Sequence, residues 1–358
     1  MNVLVLSNMY PSVESKTYGI FVKNQVEALK QRGVNVEVIA ITDLKKGKGA
    51  TVEKYARFYF QQLKLLFSRR HIDVIHVHYV FPTGLLAPLL KWRFKAKLIV
   101  TAHGGDIDRM IHTHPLIKCY TGKILKQAAS VIAVGEELKT TMLHLFHLPE
   151  EKVHVQSMGI NRKLFRPMNK VKVRENVGIS PDRSVVLYVG NMIKEKGIEE
   201  LLQAAKDEKD WELYLIGENK TPAFFDPLKE RFIDENPHIH YIGAVDQHML
   251  PYWFNSADVF ILPSYMEGLG LVAVEAMSTQ TPVVASDVGG LHYLLKDGAG
   301  VLIEPKSVEA IQSGITQVLT TNPKDWIDCG LKQAALHDDV KIIDQLLRYY
   351  QQESRLKQ

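Results

Sequence analysis

Residues 262–277 read Leu-Pro-Ser-Tyr-Met-Glu-Gly-Leu-Gly-Leu-Val-Ala-Val-Glu-Ala-Met, and this stretch decides the fold. An apolar strand ends at Pro263, a turn with two glycines follows, and a helix begins. This order predicts that four amides lie at a helix N-terminus, those of Gly268, Leu269, Gly270 and Leu271. Unpaired N–H groups and the helix dipole favour an anion there, so we expect a phosphate or pyrophosphate ligand.

Two glutamates frame this helix start. Glu267 lies at its mouth, and Glu275 follows eight residues later, about two helical turns deeper. One interpretation makes Glu267 a charge that compensates the helix dipole and Glu275 a solvated helix residue. Because Glu275 lies within the apolar run 271–277, where a solvated carboxylate fits poorly, we favour the interpretation that both bind one ligand.

Short apolar runs alternate with helical patterns along both halves of the chain, which is typical of parallel sheets covered on both faces. The first half has the predicted strands Val3–Ser7, Val34–Ile41, Val74–Val80, Leu98–Thr101, Val131–Val134 and Val153–Gln156. The second half has Val185–Gly190, Glu212–Gly217, Ile239–Ile242, Val259–Pro263, Pro282–Ser286 and Gly300–Ile303. The sequence therefore predicts an α/β fold with two Rossmann-like domains facing each other across a cleft that holds the ligand.

The domain boundaries follow from composition. The polar stretch 168–184 is the predicted linker between a first domain, 1–167, and a second, 185–322. The last helical stretch, 323–358, has no strand after it, and we expect it to pack back on the first domain.

Composition excludes several classes of protein. The 358 residues include 46% hydrophobic and 23% charged residues, which is ordinary for a globular protein and excludes disorder. The net charge of +4 is too small to argue for nucleic acid. Two distant cysteines, Cys119 and Cys329, cannot form a disulfide scaffold. Without a visible signal peptide or an apolar run of about 20 residues, we expect a cytoplasmic protein.

The glutamate pair and its flanks resemble a known family. Glu267 and Glu275 match the E-x7-E element of retaining glycosyltransferases with the GT-B fold, and the surrounding residues look like glycosyltransferase family 4. The resemblance covers nearly the whole chain through weaker segments in the family's order: Gly19, 73–78, 101–106, Gly190, Lys196–Gly197 and Gly298–Gly300.

The resemblance implies transfer of a sugar from a nucleotide-diphosphate donor, with retention of the anomeric configuration. By similarity, Glu267 contacts hydroxyls of the donor sugar, the amides of 268–271 hold the pyrophosphate, and Glu275 binds the ribose hydroxyls. In such enzymes the second domain binds the donor and the first binds the acceptor.

Three more residues take roles from the resemblance. His103 matches the histidine near the donor sugar, Gly19 matches the first-domain glycine whose amide approaches the phosphates, and Lys196 matches the basic residue that neutralises the leaving diphosphate. One departure is Asn191, which is expected to bind the substrate at the position where the family often has an arginine that binds the pyrophosphate. Asparagine lacks the charged guanidinium group with which arginine binds a pyrophosphate through two hydrogen bonds. Lys196 is therefore expected to compensate the charge of the diphosphate without that second cation.

Other motifs are absent or weak. No Asp-x-Asp motif follows a strand, so we expect no metal and no other cofactor, with basic and dipolar groups stabilising the diphosphate instead. His76 and His78 share one face of a strand, and we favour a core or cleft position over metal binding. Asp106 is equally compatible with orienting a substrate hydroxyl and with capping a helix.

The helix predicted at 54–70 bears on the acceptor. Its apolar residues Tyr55, Phe58, Tyr59 and Leu63 share a face flanked by lysines and arginines. It could dock peripherally on an anionic inner membrane face that carries a lipid-linked acceptor. We favour the simpler interpretation, in which the helix covers its own sheet and shows its lysines to water.

The sequence thus predicts a retaining, metal-independent glycosyltransferase that uses a nucleotide-diphosphate sugar. The expected acceptor is a hydroxyl of a polysaccharide or lipid-linked sugar, and the expected role is polysaccharide or glycolipid synthesis. Two alternatives stay open. One is an epimerase or phosphorylase on the same architecture, and the other is a catalytically silent subunit that binds the nucleotide sugar.

Overall fold

The computed structural model describes residues 1–12, 17–43, 45 and 47–352, and the chain divides into two compact units. Unit 1 is formed by Met1–Gly159 together with the C-terminal segment from Asp339, and unit 2 by Ile160–Asp338. Residues 353–358, the end of the predicted C-terminal helical stretch, lie outside the described residues.

Unit 1 contains one parallel six-stranded sheet with the order β2-β1-β3-β4-β5-β6. Its strands are β1 Asn2–Ser7, β2 Asn35–Ala40, β3 Val74–His78, β4 Lys97–Ala102, β5 Ser130–Ala133 and β6 Val153–Val155. Its helices are α1 Ile20–Gln31, α2 Lys48–Leu66, α3 Ala87–Phe94, α4 Gly105–Asp108, α5 Pro115–Gln127 and α6 Glu136–Phe146, with 3₁₀ turns at Met110–His112 and Glu150–Lys152.

Unit 2 repeats this architecture with the strand order β12-β11-β10-β7-β8-β9, again parallel. Its strands are β7 Ser184–Val189, β8 Trp211–Ile216, β9 Ile239–Gly243, β10 Val259–Leu262, β11 Val283–Ser286 and β12 Val301–Ile303. Its helices are α7 Lys170–Val177, α8 Ile198–Ala205, α9 Pro222–Leu228, α10 Leu250–Ser256, α11 Leu271–Ser278, α12 Gly289–Leu295, α13 Val308–Thr320 and α14 Lys324–Leu336. Shorter turns lie at Lys194–Lys196, Lys229–Ile233 and Gln247–Met249.

All twelve predicted strands are present, and their ends differ from the prediction by at most two residues. The largest difference is at β3, which ends at His78 because Tyr79 has a φ of +67°, outside the strand region. The central strands β3, β4, β7 and β10 are buried on both faces, as the continuous apolar runs predicted.

The C-terminal helix packs on unit 1, which confirms that prediction. This helix, α15 (Asp339–Gln351), contacts α1 and adds Ile343, Leu346 and Tyr350 to the core of unit 1. The Tyr350 hydroxyl also shares a 2.6 Å hydrogen bond with Nδ1 of the buried His76.

The unit boundaries differ from the predicted ones in two places. The predicted linker 168–184 contains α7, whose buried Arg174 donates to the Ser256 carbonyl at 2.9 Å and to Asp258 Oδ2 at 2.7 Å. These bonds make this stretch part of unit 2. Helix α14, predicted to cross to the first domain, packs on α11 in unit 2, so only α15 belongs to unit 1.

No helix among the described residues combines the length and the apolar character that crossing a membrane requires.

Candidate active site

The loop between β10 and α11 is held in place by glycines. Gly270 precedes α11 with a φ of +78°, a conformation that favours glycine. The Gly290 amide donates to the Glu267 carbonyl at 3.0 Å, and a Cβ on Gly290 would lie 2.1 Å from the Gly268 carbonyl oxygen. Only glycine at position 290 therefore lets the start of α12 approach the loop this closely.

The first turn of α11 presents amide donors at the carboxyl end of the sheet. The Gly270 carbonyl accepts from the Ala273 amide at 2.8 Å, which is the first hydrogen bond of the helix. The preceding amides, those of Leu271 and Val272, belong to the first-turn donors that a helix cannot pair internally. Together with the helix dipole, they create a positive potential suited to an anion. Of the predicted amides of Gly268, Leu269, Gly270 and Leu271, only that of Leu271 lies within α11, and their binding of an anion stays a prediction.

Lys196 reaches this loop and forms an ion pair with Glu267, a residue 71 positions further along the chain. The lysine ends the turn Lys194–Lys196, and the next residue, Gly197, has a φ of +68°. A Cβ on Gly197 would lie 2.0 Å from the Pro263 carbonyl oxygen, so the two loops are in backbone contact. The side chains of the pair are only 22% and 17% exposed.

Glu275 lies in the middle of α11 and is buried, not solvated. Burial raises the pKa of its carboxyl group to about 8, so the group is largely protonated at neutral pH. Within the described part of the chain, no hydrogen bond or ion pair to this carboxyl is present. A buried carboxyl of this kind can accept hydrogen bonds from hydroxyl groups of a ligand, which would compensate for its burial.

Asn191 lies beyond the carboxyl end of β7, the strand next to β10 in the sheet. Its backbone carbonyl accepts from the Tyr188 hydroxyl at 3.1 Å and from the Ile193 amide at 3.0 Å. The side chain of Asn191 is half-buried, and its predicted role in binding stays a prediction.

Gly19 lies in unit 1, directly before α1, with a φ of +69°. A Cβ at this position would lie 2.6 Å from both the carbonyl carbon and the carbonyl oxygen of Met9, which follows β1. The close packing of two backbone segments therefore requires glycine here, and its predicted approach to a phosphate stays a prediction.

His103 follows β4 in unit 1 and is held by neighbouring rings. Its Nε2 shares a 3.1 Å hydrogen bond with Nδ1 of the buried His78, and its ring stacks on Tyr79 with 4.8 Å between centroids. Burial lowers the pKa of both histidines, so both are neutral at pH 7. A neutral, oriented imidazole can hydrogen-bond to a sugar hydroxyl.

Asp106 and His78 have contacts that sequence reasoning did not predict. The fully buried Asp106 carboxylate accepts from the Val80 amide at 2.7 Å and from the His103 amide at 3.1 Å. It thus joins the loops after β3 and β4, and neither of its two predicted roles describes this. The hydrogen bond between His78 and His103 was not predicted either. The sequence showed only that His76 and His78 alternate along β3 and therefore share one face of that strand.

Among the described residues, no group of three or more histidine, cysteine, aspartate or glutamate side chains is placed to hold a metal ion.

Comparison with known proteins identifies the family. Residues 19–164 match the family model for glycosyltransferase family 4, and residues 169–330 match the model for glycosyl transferases group 1. The chain is 28% identical to TuaC of Bacillus subtilis, a glycosyltransferase provisionally named for teichuronic acid biosynthesis, over 88% of this chain and 89% of TuaC. The chain belongs to the family 4, group 1 glycosyltransferases.

Solved structures agree with this fold. Sucrose-phosphate synthase from Thermosynechococcus elongatus superposes with a TM-score of 0.81 over 98% of both chains, at 21% identity. HepE of Anabaena, solved in complex with UDP and glucose, superposes with a TM-score of 0.74 over 97% of this chain and 98% of its own, at 18% identity. These likenesses show that this glycosyltransferase has the GT-B fold.

The burial of Glu275 predicts a pH-dependent cost to stability. Its carboxyl has a pKa of about 8 in the folded protein, against 4.5 as its ordinary value. Between pH 4.5 and pH 8 the Glu275 carboxyl binds more protons in the folded state than in the unfolded state. The free energy of unfolding of the wild-type protein therefore falls as pH rises through this range. Glu275→Gln lacks this titration and should gain stability over wild type by about 3 kcal/mol between pH 5.5 and pH 8.

The measurement is the free energy of unfolding of both proteins in denaturant at the two pH values. Comparing the change with pH cancels any fixed effect of the amide. An equal difference between variant and wild type at both pH values would show that Glu275 does not titrate in this range.

Proposed function

We propose that this glycosyltransferase takes its sugar from a nucleotide-diphosphate donor, retains the anomeric configuration and works without a metal ion. The observation that carries the proposal is the arrangement around α11: its first-turn amides, the Lys196–Glu267 pair beside them, and Glu275 buried deeper in the helix. These three features match three parts of one ligand, namely the diphosphate, the sugar and the ribose. That HepE binds UDP and glucose also supports a donor of this class.

The diphosphate is proposed to lie at the start of α11. The amides of Leu271 and Val272 would donate to its oxygens, and the ammonium group of Lys196 would compensate its charge. In the free protein Glu267 neutralises this lysine. A bound diphosphate would offer Lys196 a second anionic partner, and this would leave the Glu267 carboxylate available to the sugar.

The roles of the two glutamates follow from their surroundings. Glu267 keeps a cationic partner, whereas the Glu275 carboxyl is buried and largely protonated at neutral pH. Hydroxyl donors would stabilise the charged form of Glu275, so ribose binding would lower its pKa. Glu267 would instead act on the sugar ring, where positive charge develops in the transition state.

The chemical step needs no protein nucleophile. The bond between the anomeric carbon and the diphosphate oxygen breaks, and the acceptor oxygen bonds to the same face of the sugar. The acceptor proton passes to the departing diphosphate, whose charge Lys196 and the α11 amides stabilise. The roles proposed for His103 and Gly19 toward the donor rest on the family resemblance. Polysaccharide or glycolipid synthesis is proposed from that resemblance and from the name of TuaC.

The donor and the stereochemistry can be tested without knowing the acceptor. A thermal-shift panel of nucleotide sugars selects the donor, since a ligand at 100 times its Kd stabilises by about 2.7 kcal/mol. Slow hydrolysis of that donor is then followed by proton NMR, with and without EDTA. We expect release of the sugar with its original anomeric configuration, at a rate that EDTA leaves unchanged. Initial release of the inverted anomer would contradict retention, and a loss of rate restored by Mg²⁺ or Mn²⁺ would contradict metal independence.

Glu267→Gln tests whether sugar and phosphate recognition are separate. We expect nucleoside diphosphate affinity within about threefold of wild type, or tighter, because the variant removes a negative charge beside Lys196. Turnover at saturating donor should fall about 10²-fold, because the anion acts on the charge of the transition state. Calorimetry and steady-state kinetics measure the two effects.

A matched control is Asp234→Asn, which removes a carboxylate from an ion pair with Lys229 elsewhere in unit 2. It should leave both measurements near wild type. If Glu267→Gln instead keeps its turnover and loses diphosphate affinity, Glu267 belongs to the nucleotide site.

A further inference from the structure

Helix α2 has two apolar faces, and only one of them packs on the protein. The buried face includes Phe58 and Leu65, and Tyr59 on this side donates to the Pro82 carbonyl at 2.8 Å. Helix α2 therefore does cover its unit, as the favoured interpretation predicted. Leu63, predicted to share this face, lies on the opposite side and is exposed.

The opposite side of α2 carries a continuous exposed apolar stripe. It consists of Val52, Ala56, Phe60, Leu63 and Phe67. The steps of three and four residues between them align these side chains along one line of the helix. Phe60 is 57% exposed and Phe67 is 89% exposed, and a helix packed only on its own sheet would show polar residues here.

Helix α3 extends this apolar surface. Leu89 and Trp92, three residues apart on one face of α3, are both exposed, and Trp92 is 77% exposed. Arg93 ties the two helices together, because its guanidinium donates to the Leu66 carbonyl at 2.7 Å and to the Ser68 carbonyl at 2.8 Å. These two carbonyls flank Phe67, and Arg93 directly follows Trp92, so the exposed rings of Trp92 and Phe67 belong to backbone segments that these bonds hold together.

The charge around this surface is strongly asymmetric. Residues 48–70 and 87–95, which include α2 and α3, contain nine lysines and arginines and a single acidic residue, Glu53, which gives a net charge of +8 in a chain whose total is +4. Two of these cations have acidic partners, since Arg57 pairs with Glu53 and Arg70 with Glu37. The Lys64 ammonium lies 4.5 Å from the centre of the Phe60 ring, and Arg69 follows Phe67 closely and is exposed. The apolar stripe is thus bordered by cations.

We propose that the α2–α3 surface, formed by the α2 stripe with Leu89 and Trp92, docks on an anionic lipid bilayer. Exposed phenylalanine and tryptophan side chains bury favourably at the boundary between headgroups and acyl chains. Lysine and arginine beside them keep their charges among anionic headgroups. A protein partner would need to bring acidic groups to this rim, whereas an anionic bilayer supplies both the negative charge and the apolar layer.

Trp92 provides the direct test. The chain has four tryptophans, all in the described part; Trp211 and Trp253 are buried, Trp326 is half-buried, and Trp92 is exposed. Full-length protein is mixed with vesicles of phosphatidylglycerol and phosphatidylcholine, or of phosphatidylcholine alone. We expect a blue shift of tryptophan emission and co-sedimentation about tenfold greater with the anionic vesicles. Trp92→Phe should abolish the shift and keep the co-sedimentation.

Two kinds of variant separate the apolar and the charged contributions. Phe60→Ser with Phe67→Ser should lower vesicle binding about tenfold or more, because two exposed aromatic anchors are lost. The matched control is Leu336→Ser, an equally exposed apolar residue on α14, which should bind as wild type. Lys64→Gln with Arg69→Gln should lower binding to anionic vesicles, and Lys206→Gln with Lys209→Gln should not.

Three outcomes would overturn the proposal. These are equal binding to both vesicle types, no loss in the Phe60/Phe67 variant, and a dimer in sedimentation velocity without lipid that Phe67→Ser dissociates while vesicle binding is absent. Because the substituted side chains are exposed, circular dichroism should show folded variants. The assay uses neither donor nor acceptor, so its result is independent of the proposed reaction.

Discussion

The candidate site depends on two places where backbone segments touch without side chains between them. Gly197 lies against the Pro263 carbonyl, and Gly290 lies against the Gly268 carbonyl. A side chain at either glycine would clash with backbone, which cannot move aside as a flexible side chain can. These contacts bring the turn that carries Lys196 and the loop that carries Glu267 together, and they fix the first amides of α11 beside that pair. The charge arrangement at the site is therefore a consequence of close packing.

Much of this could be predicted from sequence because the signals are local. Continuous apolar runs between helical patterns predicted all twelve strands, and the glycine turn before an apolar run predicted that a helix starts after Gly270. The position of Glu275 in an apolar run predicted its burial. Its raised pKa follows from that burial.

The features that sequence did not predict are non-local. The Asp106 carboxylate accepts hydrogen bonds from backbone amides of two separate loops. Every residue other than proline has such an amide, so the sequence does not indicate which amides Asp106 binds. The polar composition of 168–184 suggested a linker, but this stretch packs as part of unit 2. The charged Arg174 within it is buried because it hydrogen-bonds to Ser256 and Asp258, which lie more than eighty residues away in the sequence. On α2, sequence showed the aromatic residues but not which side of the helix the sheet covers, and this decides that Phe60 and Phe67 are exposed.

The central claim is that α11 binds the nucleotide, and a crystal structure with the nucleoside diphosphate chosen by thermal shift tests it most directly. The account predicts phosphate oxygens about 2.7–3.2 Å from the amide nitrogens of Leu271 and Val272. It also predicts the two ribose hydroxyls within hydrogen-bond distance of the Glu275 carboxylate. A diphosphate bound away from the start of α11, or a ribose that makes no contact with Glu275, would contradict it.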